Sequence, residues 1–186
     1  MVSSKQLSKE GIMEIALLVL RLVVGLTFVA HAAQKLVGVF GGQGIQGTAD
    51  AFDQIGLRPS KLNAWLASLA ELGGGLLIAF GLLTPLAATA LIATMTAAVL
   101  TVHLRNGFFN TSNGYEYNLV LVVAAFALAG TGPGKWSLDN ALNLDLAGTV
   151  WALGALGAGV LGGLTVVLGG RRTSLRGADH GQPDPA

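Results

Sequence analysis

The first long apolar segment, from Ile12 to Leu36, constrains the fold more than any other part of the sequence. Its length of about 25 residues exceeds the roughly 20 that an α-helix needs to cross a ~30 Å hydrocarbon layer. It nevertheless contains four ionisable residues, Glu14, Arg21, His31 and Lys35. Because an isolated charge at the centre of a bilayer costs at least ~2.5 kcal/mol, these side chains are expected to face protein or water.

The ionisable residues of this helix fall on one face. A spacing of seven residues, close to two helical turns, separates Glu14, Arg21, Phe28 and Lys35. His31 lies beside this line because it precedes Lys35 by four residues. Leucine and valine cover most of the other sides of the helix. The helix therefore presents one polar stripe, which we expect other helices to cover.

Composition supports a membrane protein. Of the 186 residues, 52% are hydrophobic and only 11% are charged, against about 25% charged in soluble domains. The 27 glycines suit spanning helices, where glycine is common. A net charge of +1 argues against nucleic acid as a partner, and the absence of cysteine excludes thiolate metal sites and disulfides. The first apolar segment is too long for a cleaved signal peptide, so we expect it to remain.

The apolar segments predict an all-α membrane bundle with five spanning helices. These cover about 12–37, 61–83, 86–105, 115–130 and 146–168, and the fourth is short for a span. Short surface helices are expected at 49–55 and 138–144. The predicted organisation is a polar N-terminal tail (1–11), a four-helix core (12–144), a fifth helix (145–169) and a basic, then disordered tail (170–186).

Lysine and arginine are unevenly distributed between the two ends of such a bundle. Lys5, Lys9 and Lys135 fall on the side of the N-terminus. The other side carries Lys35, Arg58, Lys61, Arg105, Arg171, Arg172 and Arg176. The positive-inside rule favours the cytoplasm for this second side, which holds the loops after the first and third helices. We call it the upper side.

Polar residues from four helices are predicted to meet in the upper half of the bundle. Counted at ~1.5 Å per residue from the helix ends, His31 lies about 9 Å, Glu71 about 16 Å and Arg21 about 24 Å below the upper surface. Near that surface we expect Lys35, His103, Tyr115 and Glu116. Arg21 and Glu71 would form the floor of a pocket. A purely structural ion pair between these two residues and hydrogen-bonded interior histidines are the simpler alternatives.

The chemistry of this set allows several occupants. The candidate catalytic residues are Glu71, His31 and His103, and the candidate pocket residues are Arg21, Lys35, Tyr115 and Glu116. The set suits a quinone head group, whose two oxygens need hydrogen-bond donors and, on reduction, protons. Two histidines at one level could instead ligate a haem, although Lys35 crowds one of them. A small-solute or proton path would also use buried ionisable groups. No other metal site is predicted.

The order of the motifs resembles the DoxX family of small bacterial membrane proteins. The resemblance covers about 12–144 and rests on Arg21, Gly25, Phe28, His31, Gln34 and Lys35, on 71–75 and 81–84, and on His103, 106–109, 114–118 and 132–139. It implies a four-helix core and a membrane oxidoreductase subunit with quinone as the expected cofactor. The fifth helix and the arginine-containing tail lie outside the resemblance.

The resemblance also implies a location and partners. These are the bacterial cytoplasmic membrane, a role in sulfur metabolism or oxidative stress, and a complex with a soluble sulfurtransferase and superoxide dismutase. Without cysteine the chain would leave sulfane sulfur to a partner or bind a sulfur anion directly, with His31, Lys35 and Arg105 as candidates. The alternatives are a non-enzymatic scaffold that docks soluble redox enzymes and a small-solute or proton carrier. A homo-oligomer is compatible with each of these functions.

Overall fold

The computed structural model describes residues 4–179, with side chains described for 9–170. Regular structure in this part of the chain consists of the helices α1 (Ser4–Val37), α2 (Gly44–Gln54), α3 (Ser60–Phe80), α4 (Thr84–Ala98), α5 (Glu116–Thr131), α6 (Leu138–Ala141) and α7 (Thr149–Asp179), with one π-helical and two 3₁₀ turns. Four helices, α1, α3, α4 with its extension, and α7, are long and apolar enough to cross a membrane. The predicted all-α membrane bundle is confirmed, whereas α5, predicted as the fourth of five spans, has only 16 residues and is a shorter apolar helix.

Both ends of the chain differ from the predicted organisation. Helix α1 begins at Ser4, so much of the predicted polar tail is helical. Helix α7 continues to Asp179, past the predicted end of the fifth helix at 169, whereas 180–186 lie outside the described residues. Lysine, arginine, glutamine, glutamate and leucine all favour helix, so the end of an apolar segment marks the edge of a membrane span and not the end of the helix.

Helices α1 and α3 run antiparallel and touch through small residues. A Cβ atom at Gly25 would lie 2.7 Å from the backbone nitrogen of Ala79, and one at Gly75 would lie 2.7 Å from the Gly25 carbonyl oxygen. Glycine at both positions lets the two backbones meet directly, as is common between membrane helices. This contact fixes the register of α1 against α3. The register in turn determines which side chains of α3 lie next to the polar stripe of α1.

Helix α4 is the central element, since it packs against α3, α5 and α7. The largest buried cluster joins α1, α3, α4 and α5 and consists of Val24, Phe28, Ile78, Ala87, Leu91, Met95, Leu121 and Leu128. Helix α7 lies against α4 through Gly159 and Gly163, where a Cβ atom would come within 2.7 Å of Ile92 and of the Ala93 carbonyl, respectively. Close packing by the glycines of α7 keeps this helix in the bundle.

The upper end of α4 departs from α-helical geometry. The α-helix ends at Ala98 and continues as a π-helical turn, Val99–His103, and a 3₁₀ turn, Leu104–Asn106. A straight helix to Arg105 was predicted. The hydroxyl of Thr101 donates to the Ala97 carbonyl at 2.7 Å inside the widened segment. Such turns occur at functional sites, and this one carries His103.

At the lower end, Asp139 of α6 caps the start of α4. Its Oδ1 accepts from the backbone N–H of Leu83 at 2.7 Å, and its Oδ2 accepts from the N–H and the hydroxyl of Thr84 at 3.1 and 2.7 Å. These bonds satisfy helix N-terminal donors that would otherwise be left in the membrane. The backbone N–H of Asp139 in turn donates to the Gly81 carbonyl at 2.8 Å, so the α5–α6 loop is fastened to the α3–α4 turn.

Candidate functional site

A cavity of about 560 Å³ lies in the upper half of the bundle. Residues from α1, α2, α3, α4, α5 and α7 line it, so most of the upper bundle contributes. Apolar side chains form most of the wall. The polar members are His31, Lys35, Asn63, Glu71, Thr94, Thr101, His103, Asn110, Tyr117 and Asn118. We refer to this space as the cavity.

Four predicted site residues line the cavity together: His31, Lys35, Glu71 and His103. The ammonium group of Lys35 donates to Oε2 of Glu71 in an ion pair between α1 and α3. The Glu71 side chain is 3% exposed and that of Lys35 is 26% exposed. The charge of the only carboxylate in the cavity lining is thus balanced within the protein, while Lys35 retains some access to solvent.

Arg21 and Glu71 do not form the predicted floor of one pocket, nor the ion pair that was the simpler alternative, and the register of α1 against α3 explains why. Measured from the Gly25–Gly75 contact at ~1.5 Å per residue, Arg21 lies about 12 Å from Glu71 along the bundle, and Lys35 about 9 Å on the other side. Helical side chains tilt toward the N-terminus of their own helix. Because the two helices are antiparallel, Lys35 and Glu71 lean toward each other, whereas Arg21 leans away.

Arg21 lies instead at the lower end, where it contacts the α5–α6 loop. It is 1% exposed, and its Nη2 donates to the Trp136 carbonyl at 2.6 Å. Its Nε and Nη1 have no hydrogen-bond partner among the described residues. The carboxylates of Asp139 and Glu14 are near enough to attract the guanidinium charge. Arg21 is therefore part of a lower cluster, separate from the cavity.

His31 is held by a chain of two hydrogen bonds. Nε2 of Gln34 donates to the Phe40 carbonyl at 3.0 Å, and Oε1 of Gln34 lies 3.1 Å from Nδ1 of His31. The carbonyl of Phe40 can only accept, which fixes the orientation of the Gln34 amide. The imidazole also packs edge-on against Tyr117 of α5, with the ring centroids 6.3 Å apart. These contacts give His31 a defined ring position at the cavity wall.

His103 is held by a contact with the loop before α5. Its Nδ1 lies 2.8 Å from the carbonyl oxygen of Asn113, which also accepts from Nδ2 of Asn106 at 3.2 Å. The π-helical turn carries the ring to this loop. A hydrogen bond from one ring nitrogen to a carbonyl orients an imidazole and leaves the other nitrogen for a ligand or a proton.

Tyr115 and Glu116 do not line the cavity, although both were predicted as pocket residues. Oε2 of Glu116 accepts from the backbone N–H of Asn110 at 2.9 Å, so this carboxylate holds the loop before α5. Tyr115 packs edge-on against Phe108, with the centroids 5.5 Å apart. Arg105, a candidate anion-binding residue, lines a separate space of about 640 Å³ that adjoins the cavity at the π-helical turn.

Sequence reasoning missed six polar members of the cavity wall: Asn63, Thr94, Thr101, Asn110, Tyr117 and Asn118. Asn118 is buried, and its Nδ2 donates to the sulfur of Met95 at 3.4 Å. Asn63 is also buried, and Tyr117 contacts His31. An amide within an apolar spanning helix is a recognisable signal, since polar groups are costly there. The tyrosine carries no such signal, because aromatic residues near helix ends usually mark the membrane interface.

The cavity combines a largely apolar wall with a few ionisable and polar side chains. In residues 9–170, no three histidine, aspartate or glutamate side chains are placed to hold a metal ion together. The ring nitrogens of His31 and His103 that the protein leaves uncommitted can accept hydrogen bonds, exchange protons or coordinate a haem iron. The apolar wall is typical of small-molecule sites with a few orienting polar groups.

These features define a multi-pass helical membrane protein with a largely apolar cavity that carries ionisable groups at its wall. The chain belongs to the DoxX family, whose sequence model, described as DoxX, matches residues 16–104. The matched segment includes all four ionisable residues of the cavity wall, His31, Lys35, Glu71 and His103. The resemblance seen in the sequence is confirmed.

Two relatives agree with this assignment. A Bacillus subtilis protein named "Putative oxidoreductase CatD" is 34% identical over 126 residues, which are 68% of this chain and 86% of that protein. A Mycobacterium tuberculosis protein named "Uncharacterized membrane protein Rv3486" is 30% identical over 134 residues, which are 67% of this chain and 79% of that protein. No solved structure shows a significant match.

Proposed function

We propose that the protein is a quinone-linked membrane oxidoreductase subunit and that the cavity is its quinone site. The observation that carries the proposal is an apolar cavity, at membrane depth, whose wall contains two histidines and a carboxylate. A quinone ring and its isoprenoid chain are apolar, and its two oxygens are the atoms that exchange protons. The oxidoreductase name of the Bacillus subtilis relative supports the class of reaction.

In the proposed reaction some cavity residues exchange protons with the quinone, and one balances charge. Interconversion of quinone and quinol moves two electrons and two protons. The protons would pass between the quinone oxygens and the uncommitted nitrogens of His31 and His103, with Glu71 as a further acceptor. The electrons would pass to or from a redox-active soluble partner. Lys35 would balance the charge of the Glu71 carboxylate and hold its side chain in position.

The proposed setting is the bacterial cytoplasmic membrane, with the upper side facing the cytoplasm. A soluble partner would then reach the cavity from the upper end, where the loops before α3 and α5 lie. A sulfurtransferase and a superoxide dismutase are the proposed partners, and sulfur metabolism or defence against oxidants is the proposed context. Because the chain has no cysteine, any sulfur carrier must be the partner.

The first experiment combines spectroscopy with extraction on protein purified in mild detergent. Optical spectra are taken before and after dithionite, and the protein is then extracted and chromatographed for quinone, with a quinone add-back step for material lost to detergent. Stoichiometric quinone without a Soret band is the expected result. A Soret band would overturn it and assign His31 and His103 to haem.

Variants test whether the cavity carries the function. Glu71→Gln and His31→Ala should each lower quinone-dependent activity at least tenfold in folded protein. The matched control is Glu10→Gln, the same chemical change on a carboxylate of α1 whose side chain is 53% exposed. If both cavity variants are as active as the control, the proposal fails. No quinone binding, together with release of soluble partners on deletion of 171–186, would favour the scaffold instead.

A further inference from the structure

The hydrogen bonds behind the two histidines determine which ring nitrogen each one offers to a ligand. For His31, the Gln34 amide is oriented by the Phe40 carbonyl, so its oxygen faces Nδ1 of the imidazole at 3.1 Å. An amide oxygen can only accept. Nδ1 of His31 therefore carries the hydrogen, and in the neutral ring Nε2 is an acceptor with a free lone pair.

The same tautomer is assigned to His103, although its hydrogen-bond partner is a backbone carbonyl and not a side-chain amide. Its Nδ1 lies 2.8 Å from the Asn113 carbonyl, and a backbone carbonyl can only accept. Nδ1 again carries the hydrogen, and Nε2 of the neutral ring is an acceptor. Two histidines from different helices thus line one cavity in the same tautomer.

Glu71 adds a third acceptor. One of its oxygens, Oε2, accepts from Lys35, which leaves Oε1 for a ligand. Lys35 donates one of its three N–H groups to this carboxylate, and its side chain is 26% exposed, so the other two can be hydrated. The hydroxyls of Thr94 and Thr101 are committed, because they donate to carbonyls of α4 at 2.9 and 2.7 Å. The two imidazoles and Glu71 therefore each offer an acceptor to a ligand.

We infer that the cavity binds the reduced, hydroxyl-bearing quinol in preference to the oxidised quinone. This inference rests on the proposed function and specifies which redox form the site holds. A quinol presents two O–H donors, which can donate to Nε2 of His31 and of His103 in the same cavity. A quinone presents two carbonyl oxygens, whose lone pairs would face the lone pairs of these two nitrogens and leave both nitrogens without a hydrogen bond.

The test compares three ligands on the wild-type protein in lipid nanodiscs under argon. The probes are decylubiquinone, its dithionite-reduced quinol and the dimethyl ether of that quinol, which keeps the reduced ring but cannot donate. Binding is measured by calorimetry at pH 8, where an imidazole is ordinarily neutral. We expect the quinol to bind at least tenfold more tightly than either other ligand, as two hydrogen bonds of ordinary strength allow.

The outcomes separate this inference from the proposed function. If the quinone or the dimethyl ether binds as tightly as the quinol, the inferred preference for the quinol is wrong. The proposed quinone site is not contradicted by that result. If none of the three binds, the proposed function fails and the inference with it. His31→Phe keeps an aromatic ring without the acceptor, and it should reduce quinol affinity several-fold while changing quinone affinity less than twofold. An equal loss for both ligands would contradict the inference.

Discussion

The ion pair between Lys35 and Glu71 gives a prediction about stability that depends on which partner is removed. Lys35→Met leaves a carboxylate whose side chain is only 3% exposed without its counter-charge. Glu71→Gln leaves an ammonium group on a side chain that is 26% exposed and long enough to turn toward water. The two substitutions break the same contact, but they leave charges in very different surroundings.

The expected magnitudes follow from these exposures. Breaking a buried ion pair by removing one partner costs about 3–5 kcal/mol, because the remaining charge is buried alone. Lys35→Met should therefore reduce the free energy of unfolding by about 3 kcal/mol. Glu71→Gln should cost about 1–2 kcal/mol, since the lysine can rehydrate. The double variant should cost less than the sum of the two, because no charge is then left unpaired.

The assay is reversible unfolding by SDS titration in mixed micelles, extrapolated linearly, with Glu10→Gln as the control. The control, on an exposed side chain, should stay within about 0.5 kcal/mol of wild type. A second cycle with Arg21→Met and Glu71→Gln should give a coupling energy near zero. The reasoning is refuted if the Arg21 cycle couples more strongly than the Lys35 cycle, or if Glu71→Gln is the costlier of the two substitutions.

Three further substitutions test the packing, the capping and the hydrogen bonding. Gly25→Ala places a methyl group 2.5 Å from the Gly75 carbonyl oxygen of α3 and should cost about 1–3 kcal/mol, whereas Gly73→Ala meets nothing within 4 Å and should be neutral or stabilising in the same SDS titration. Asp139→Asn removes the charge that accepts three hydrogen bonds at the start of α4 and should lower the unfolding free energy by about 1–2 kcal/mol. Gln34→Leu should abolish the preference of His31 for the Nδ1–H tautomer, which ¹⁵N NMR of labelled histidine reports directly, and an unchanged tautomer would contradict the assigned hydrogen bond.

The fold was predictable because long apolar segments leave few alternatives in a membrane. The break after α3 was predicted from Thr84–Pro85 at the start of α4, but α3 ends at Phe80, before Gly81 with its φ of +64°, and not at the predicted 83. The helix ends outside the apolar segments were not predictable by the same reasoning, since hydropathy reports lipid contact and not hydrogen bonding. The π-helical turn at Val99–His103 also left no signal in the apolar pattern.

The members of the cavity wall were predictable in part. The level of His31, Glu71 and His103 followed from counting residues, because a helix rises by a constant amount. The pairing of Glu71 with Lys35 did not follow, because it depends on the axial offset between α1 and α3. That offset was predicted from the expected ends of the two helices. The Gly25–Gly75 contact sets the true offset, and a Gly-Gly contact cannot be read from a sequence that contains 27 glycines.

The seven-residue stripe on α1 therefore serves two sites and not one. Its lower half places Arg21 against the α5–α6 loop, which Asp139 also fastens to the start of α4. Its upper half places Lys35 at the cavity. Charged residues at membrane depth are costly, so each must have a partner that the fold supplies. Helix α1 meets this requirement at the lower end with a loop carbonyl and nearby carboxylates, and at the upper end with Glu71, whose second oxygen remains available to a ligand.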